Sequence, residues 1–356
     1  MNTTIMQYAP VVITTLNRFE HFKQCLESLE KCTGAEFTEV YVGLDFPPSE
    51  KYVEGWKKID ELLKEKETSN GFLQLIVHRR GHNCGVLGEN SNYNLLKKDI
   101  LKQYDRYIFS EDDNVFSPCF LEFVNKGLER YKNNESVTAI CGFTHQEMYR
   151  LSPDNVFCGH SVPAYGVGLY KRIDQKYSSR DYNWVFDFLK ADKKRSFSLY
   201  RTHPSLLFML VSMIWSRANY GDLYRCLYNI LDKTFSISPT VSMVRNLGCD
   251  GSGQHSGYVS GLNQQEILTQ EHFEPDDIEL KITDEYKKRY RMRNMPIGFF
   301  ARQFNKLYKF TIVSIFLLFD NRKNADEPFS WFIDKVFALW KKGSKMKTAV
   351  NKATAS

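Results

Sequence analysis

The strongest constraint on the fold is a change of hydrophobic rhythm that repeats through the first 145 residues. Short apolar runs ending in Gly or polar residues alternate with longer stretches whose apolar positions recur every three to four residues. Runs of the first kind suit buried strands, and stretches of the second suit amphipathic helices. Taken in turn, they describe an α/β fold with a mostly parallel sheet and crossover helices on its faces. The runs predict strands over 10–15, 39–44, 72–78, 104–110 and 137–142, and helices over 19–31, 50–66, 88–101 and 118–132. Ser117 is suited to cap the last helix and Pro118 to open it.

In an open sheet of this kind, ligands gather outside the carboxyl ends of the strands. The residues just after each strand are therefore read together: Thr15 and Arg18, then Asp45, then Arg79, Arg80 and Asn83, then Glu111, Asp112 and Asp113. Three carboxylates in a row repel one another and are costly to gather without a counter-ion. A divalent cation such as Mg2+ or Mn2+ is one remedy, because hard cations take oxygen ligands and share them with substrate phosphates. The basic pair Arg79-Arg80 on a neighbouring strand end favours this phosphate-and-metal reading. An acidic helix N-terminus leading into Ser117-Pro118 is the plainer alternative.

Composition narrows the class. The 356 residues are 42% hydrophobic and 25% charged, which excludes a disordered, collagenous or coiled-coil chain. A chain this long buries enough core to need no staples. Its eight cysteines form no CxxC pair, so a reduced, cytoplasmic setting is expected. No secretory signal is read in MNTTIMQYAP, which lacks a basic segment followed by an apolar one. The net charge of +6 is unevenly placed: residues 295–356 hold eleven Lys/Arg and four Asp/Glu, a balance of 11 − 4 = +7, leaving the rest near neutral at 6 − 7 = −1. A nucleic-acid-binding protein usually spreads such charge over its folded body, so no nucleic-acid partner is expected.

With these residues in view, the chain resembles the nucleotide-sugar-dependent glycosyltransferases of GT-A fold. It is most similar to bacterial enzymes of capsule and O-antigen assembly, and more distantly to the N-acetylglucosaminyltransferases with an EDD form of the DxD motif. The segments that carry the likeness are APVVITTLNR (9–18), VGLDFP (42–47), RRGHNCGVLGENSNYNL (79–95), YIFSEDDNVFSPCFLEF (107–123), PAYGVGLYKR (163–172) and SPTVSMVRNLGCDGSGQHS (238–256). The resemblance implies that Thr15, Arg18 and Asp45 hold the nucleotide, and that Arg80 and Asn83 approach the diphosphate. It implies that Glu111 meets the donor sugar, that Asp112 faces ribose or metal, and that Asp113 ligates Mn2+ or Mg2+. PAYGVGLYKR departs from the family's aromatic-rich form, with Tyr165 and Leu169 in place of its aromatics. A catalytic base in relatives precedes a strand proline by about seventeen residues, which points to Asp222, with Asp187 as the alternative. Asp222 can equally serve as a helix N-cap. His255, in the Gly-rich run 248–257, reads either as a metal or phosphate ligand or as part of an ordinary Gly/Ser turn.

The implied reaction is inverting transfer from a nucleoside-diphosphate sugar, expected to be a UDP-sugar, to a glycan or lipid-linked acceptor in bacterial surface polysaccharide synthesis. The expected domains are 1–265, with a nucleotide-sugar half over 1–145 and an acceptor half over 146–265, then a linker or packing segment over 266–297 and a basic amphipathic tail over 298–356. Two other readings compete: a sugar nucleotidyltransferase, and a catalytically silent membrane-bound scaffold.

No run reaches the roughly 20 apolar residues that a bilayer span needs. LLFMLVSMIW (206–215) reads as a buried helix. FTIVSIFLLF (310–319) follows Phe299, Phe300, Phe304 and Leu307, with Arg302, Lys306 and Lys309 spaced to lie on one helical face. WFIDKVFALWKKGSKMK (331–347) repeats the pattern. Such segments attach peripherally to the inner, anionic face of a cell membrane or, alternatively, pack on the domain or in a homo-oligomer.

Overall fold

The computed structural model describes residues 7–86, 88–217, 220–250, 262–292, 298–320, 322, 323, 325 and 327. The chain divides into two compact units, one formed by 1–175 with 229–282 and the other by 176–228 with 283–356.

The first unit opens with β1 (Val11–Thr15), α1 (Phe19–Glu30), β2 (Glu39–Leu44), α2 (Val53–Thr68), β3 (Gln74–Arg79), α3 (Asn92–Ile100) and β4 (Arg106–Glu111). These are the alternating elements read from the rhythm of the sequence. Strand β1 is wholly apolar up to its two terminal threonines and pairs in parallel with β2 and β4, while β2 pairs in parallel with β3. There follow β5 (Asn114–Phe116), α4 (Phe120–Arg130), β6 (Val137–Cys141), β7 (Val156–Gly159), β8 (Val167–Tyr170) and α5 (Lys171–Lys176). The first unit resumes after the second with β9 (Phe235–Pro239) and β10 (Val244–Asn246).

Eight strands form one sheet in the order β3-β2-β1-β4-β8-β6-β9-β7. Its first four strands are parallel. Strand β8, from the PAYGVGLYKR segment, runs antiparallel between β4 and β6, and β7 runs antiparallel beside β9. Inserted β8 and edge strand β7 turn a parallel half into a mixed sheet, and both lie beyond the first 145 residues. Tyr165 packs edge-on against Phe143 just ahead of β8. Residues 271–276 strap α4: the Phe273 amide donates to Glu122 Oε2 (2.8 Å), Lys126 donates to the Phe273 carbonyl (3.1 Å), and the Phe273 ring meets Phe123 edge-on.

The expected start of α4 is corrected. Its cap is Cys119 and its first residue is Phe120, with the Phe120 amide bonded to the Ser117 carbonyl and no side-chain cap. Pro118 therefore precedes the helix, in the turn that joins it to β5. The acidic triplet is separated from α4 by β5, so it does not serve as that helix's acidic N-terminus.

The second unit is helical: α6 (Tyr182–Ala191), α7 (Lys193–Thr202), α8 (Pro204–Ser216), α9 (Gly221–Asp232), whose last turn belongs to the first unit, α10 (Asp284–Met292) and α11 (Phe299–Phe319). Asp181 and Asp192 cap α6 and α7 by accepting from the amides three residues on, and Pro204 opens α8. Helix α8 is the expected buried segment, with Leu206, Leu207, Leu210, Val211, Met213, Ile214 and Trp215 all buried. Helix α11 packs on it through Ile312, Val313, Phe316 and Leu317. Beyond that helix, Asp320 accepts from Trp215 Nε1 (3.1 Å) and pairs with Arg322 (2.8 Å).

His203, just before α8, touches the Thr202 hydroxyl and lies edge-on to Tyr290. Burial, reinforced by the Arg291 charge, lowers its pKa from 6.5 to about 4. Below the unfolded value, the unfolded chain takes up a proton that the folded chain refuses. Stability therefore falls as pH drops from 6.5 towards 4, by at most about 3 kcal/mol from this group. His203→Gln is expected to flatten that part of a denaturation-versus-pH profile and to leave the profile above pH 7 parallel to wild type.

Candidate functional site

The site is built at the carboxyl ends of β1, β2 and β4. Strand β4 ends at Glu111, and Asp112 and Asp113 form the tight turn into β5. Both carboxylates are buried, at 6% and 4% exposure, so their charges need partners. Arg18, the residue that caps α1, supplies the positive one. Its guanidinium contacts Asp112 Oδ1 and lies 2.8 Å from Asp113 Oδ2. The remaining oxygens are also engaged: the Thr15 hydroxyl donates to Asp112 Oδ2 (2.8 Å), and Asn246 Nδ2 donates to Asp113 Oδ1 (2.5 Å).

The short sheet β5-β10 delivers Asn246. Its antiparallel register sets Asn246 opposite Asn114, next to Asp113. The Asn246 amide also donates to Asn114 Oδ1, and its oxygen accepts from the Gly248 amide. Gly248 has no room for a side chain: a Cβ there would lie 1.9 Å from Asp113 Oδ2. The backbone at 248 thus closes against the carboxylate. Next to it, Asp250 reaches His21 of α1 at 3.3 Å.

Burial raises the Asp112 carboxyl above its ordinary range and the neighbouring Asp113 charge adds to this, against the pull of Arg18. Burial likewise opposes the Arg18 charge, but Asp112 and Asp113 outweigh it and hold the guanidinium protonated.

A second cluster forms at the end of β2. Asp45 accepts from the amides of Phe46 (2.9 Å), Cys84 (2.8 Å) and Gly85 (2.9 Å), so its carboxylate folds the 83–85 loop against β2. Asn83 completes the arrangement by donating to the Phe46 carbonyl (2.6 Å) and, more weakly, to Asp45 Oδ2 (3.4 Å). Arg80 Nε donates to Asn92 Oδ1 (2.9 Å), and Asn92 Nδ2 donates to the Gly43 carbonyl (2.7 Å). Only glycine fits at 43, since a Cβ would come 2.5 Å from Asn92 Oδ1.

Thr15, Arg18, Asp112 and Asp113 thus meet in one cluster, and Asp45, Asn83 and Arg80 stand at the adjoining strand ends. Glu111 ends β4 beside Thr14 of β1. Arg79 is corrected: its guanidinium pairs with Asp60 (2.6 Å) and Glu67 (2.8 Å) of α2, so its charge is neutralised there. Asn246 and Asn92 were not singled out by the sequence reading, although each sits in a segment that carries the resemblance. Asp222 is exposed in the first turn of α9, one residue inside its start, and Asp187 is exposed on α6, both in the second unit. His255 and the rest of 251–261 lie outside the described residues.

The donor set fits a hard divalent cation in part. Asp112 and Asp113 offer buried carboxylate oxygens, and each oxygen keeps a lone pair beyond the hydrogen bonds just described. Among the described residues, however, no three His, Cys, Asp or Glu side chains group into a complete metal cage. A cation here would need oxygens from a substrate, as Mg2+ sites that use one or two carboxylates do.

No protein-family model matches the chain, and no curated protein matches it. Among solved structures, it is similar to the mannosyltransferase PcManGT from Pyrobaculum calidifontis, determined with GDP-Man and Mn2+, at 11% identity and a TM-score of 0.34 over 49% of this chain and 47% of that one. It is also similar to S. aureus TarS, at 14% identity and a TM-score of 0.32 over 48% of this chain and 29% of that one. A TarS structure of residues 1–349 gives 16% identity and a TM-score of 0.30 over 48% and 49%. The chain thus spans about half or less of the length of each.

Removing Arg18 would leave two adjacent buried carboxylates without a positive partner. Arg18→Ala is expected to cost about 3–5 kcal/mol in urea denaturation. A loss under about 1 kcal/mol would mean that solvent already compensates the pair.

Proposed function

We propose that the chain is a glycosyltransferase that moves a sugar from a nucleoside-diphosphate sugar, a UDP-sugar, to a hydroxyl of a glycan or lipid-linked acceptor in bacterial surface polysaccharide assembly, working at the inner face of the cell membrane. The observation that carries this reading is the buried Arg18-Asp112-Asp113 cluster at the carboxyl ends of β1 and β4, beside the Asp45-ordered loop at the end of β2. This is where an open α/β sheet receives a nucleotide, and the order of the segments from 9 to 256 supports the same class.

The roles follow from the chemistry of the groups. The loop that Asp45 folds, with Asn83, borders the nucleotide. Arg80, with Asn83, approaches the diphosphate, whose departure must be stabilised as negative charge develops, and Thr15 and Arg18 border the nucleotide. Asp112 and Asp113 would hold Mn2+ or Mg2+, which when bound supplies Lewis-acid charge to the leaving phosphates. Glu111 is assigned to the donor sugar, and His255 to the metal or a phosphate. The acceptor hydroxyl needs a base, which the sequence pattern assigns to Asp222, with Asp187 the alternative. A base acting by direct displacement inverts the anomeric centre.

Thermal unfolding with UDP, GDP and their sugars, with and without Mn2+, tests the donor. The expected result is stabilisation by UDP or a UDP-sugar that grows with Mn2+, because a ligand bound only by the native state raises its stability by mass action. Asp113→Asn is expected to abolish that Mn2+-dependent increment and sugar transfer together. Stabilisation by no nucleotide would overturn the reading, and release of pyrophosphate in place of nucleoside diphosphate would reassign the chain as a nucleotidyltransferase. Asp222→Asn is expected to lower turnover at least about 100-fold with little change in nucleotide-induced stabilisation; retained turnover would transfer the role to Asp187, tested by Asp187→Asn.

A further inference from the structure

One nitrogen atom serves both carboxylates of the acidic turn. Arg18 Nη2 contacts Asp112 Oδ1 and lies 2.8 Å from Asp113 Oδ2. A cation held jointly by the two aspartates would take these same oxygens, since the other two already accept from protein donors, Asp112 Oδ2 from the Thr15 hydroxyl and Asp113 Oδ1 from Asn246 Nδ2. The guanidinium is also enclosed. The Arg18 side chain is 22% exposed, those of the aspartates 8% and 6%, and a Cβ at Gly248 would come 3.0 Å from Arg18 Nη1. A guanidinium and a divalent cation would repel each other there and compete for the same oxygens.

Charge and coordination pull in opposite directions in this competition. Two carboxylates and one guanidinium leave the buried cluster at 1 − 2 = −1, which a divalent cation in place of the guanidinium would bring to zero. Coordination favours Arg18. Mg2+ and Mn2+ seek octahedral sets of oxygens, and among the described residues no three His, Cys, Asp or Glu side chains group to hold a metal. Arg18 needs no further ligands, because its charge-assisted bonds to both aspartates come from the chain itself. A diphosphate would supply the missing oxygens and so turn the balance towards the cation.

We propose that Arg18 is an internal occupant of the metal site: it holds Asp112 and Asp113 until a nucleoside diphosphate arrives with its cation, and then yields both carboxylates to that cation. The inference rests on the metal-dependent reading of the site and adds an order to it, with nucleotide and cation entering together. Each ligand then raises the affinity of the other by the same factor. Arg18 is in this sense a positioning residue, which keeps the acidic turn in shape for a cation that it must give way to.

The test is Mn2+ binding by the full chain, followed by calorimetry and by thermal unfolding, with and without UDP. Wild type is expected to bind Mn2+ alone weakly, and at least about tenfold more tightly with UDP. Arg18→Gln is expected to be destabilised, yet to bind Mn2+ alone at least about tenfold more tightly than wild type, because no occupied fraction reduces its affinity. Its unfolding midpoint is expected to recover as Mn2+ is added. A merely structural Arg18 would lose stability without that gain. The gain is expected to persist in high salt, where a change of net charge acting through solvent is screened, and to vanish when Asp113→Asn is added. Arg18→Lys, a point charge in place of a planar fork, is expected to fall between wild type and Arg18→Gln. The proposal is overturned if Arg18→Gln binds Mn2+ alone no more tightly than wild type, or if its gain survives Asp113→Asn or disappears in salt. Should Arg18→Gln not fold at any Mn2+ concentration, Arg18→Lys decides, and an affinity for Mn2+ alone equal to wild type overturns the proposal. Wild type that binds Mn2+ with UDP beside an Arg18→Gln that gains nothing would sink this inference and leave the metal-dependent reading standing. No Mn2+ binding by any of these chains, with or without UDP, would sink both.

Discussion

The candidate site depends on one ion pair shared three ways, the Arg18 guanidinium between Asp112 and Asp113. Two adjacent buried carboxylates could not stay charged alone, because burial and mutual repulsion both favour protonation. Arg18 stands at the start of α1, so the pairing ties the β1-α1 junction to the β4-β5 turn. Thr15 and Asn246 complete the arrangement from the end of β1 and from β10. Three separate stretches of chain, the β1-α1 junction, the β4-β5 turn and β10, therefore meet at two carboxylates, and each must fold correctly for the others to be satisfied.

The same logic orders the neighbouring strand end. Asp45 accepts the amides of Cys84 and Gly85 and so holds the loop after β3 against the end of β2. Arg80 is held by Asn92, which is itself anchored to β2 because Gly43 leaves room for it. Such sharing makes the charged groups at the strand ends mutually dependent.

Much of this was readable in the residues. The elements β1 through α3 fall close to their expected limits because burial within the sheet calls for short continuous apolar runs, and longer amphipathic helices must alternate with them. The gathering of strand-end residues followed from the general rule for open α/β sheets. The start of α4 departs from the local cap signal of Ser117 and Pro118, because the chain uses both residues in the turn out of β5. Arg79 and Lys309 depart from expectation for a different reason. Sequence spacing tells which face of a strand or helix a residue shares, but not what stands opposite it, and there stand Asp60 and Glu67 in one case and Ser205 in the other.

The sequence by itself determined the alternation of strand and helix, the row of acidic residues at the end of a buried strand, and the concentration of positive charge and aromatic residues towards the C-terminus. These are local properties, set by periodicity and composition. The tertiary structure decided the insertion of antiparallel β8 into the sheet and the addition of antiparallel β7 at its edge, the choice of Arg18 over Arg79 as the partner of the acidic turn, and the closure of Gly248 against Asp113. It also decided which side of α11 is covered. Each of these outcomes depends on residues far apart in the chain competing for the same buried contact, and the competition is settled by geometry and desolvation, which no window of sequence contains.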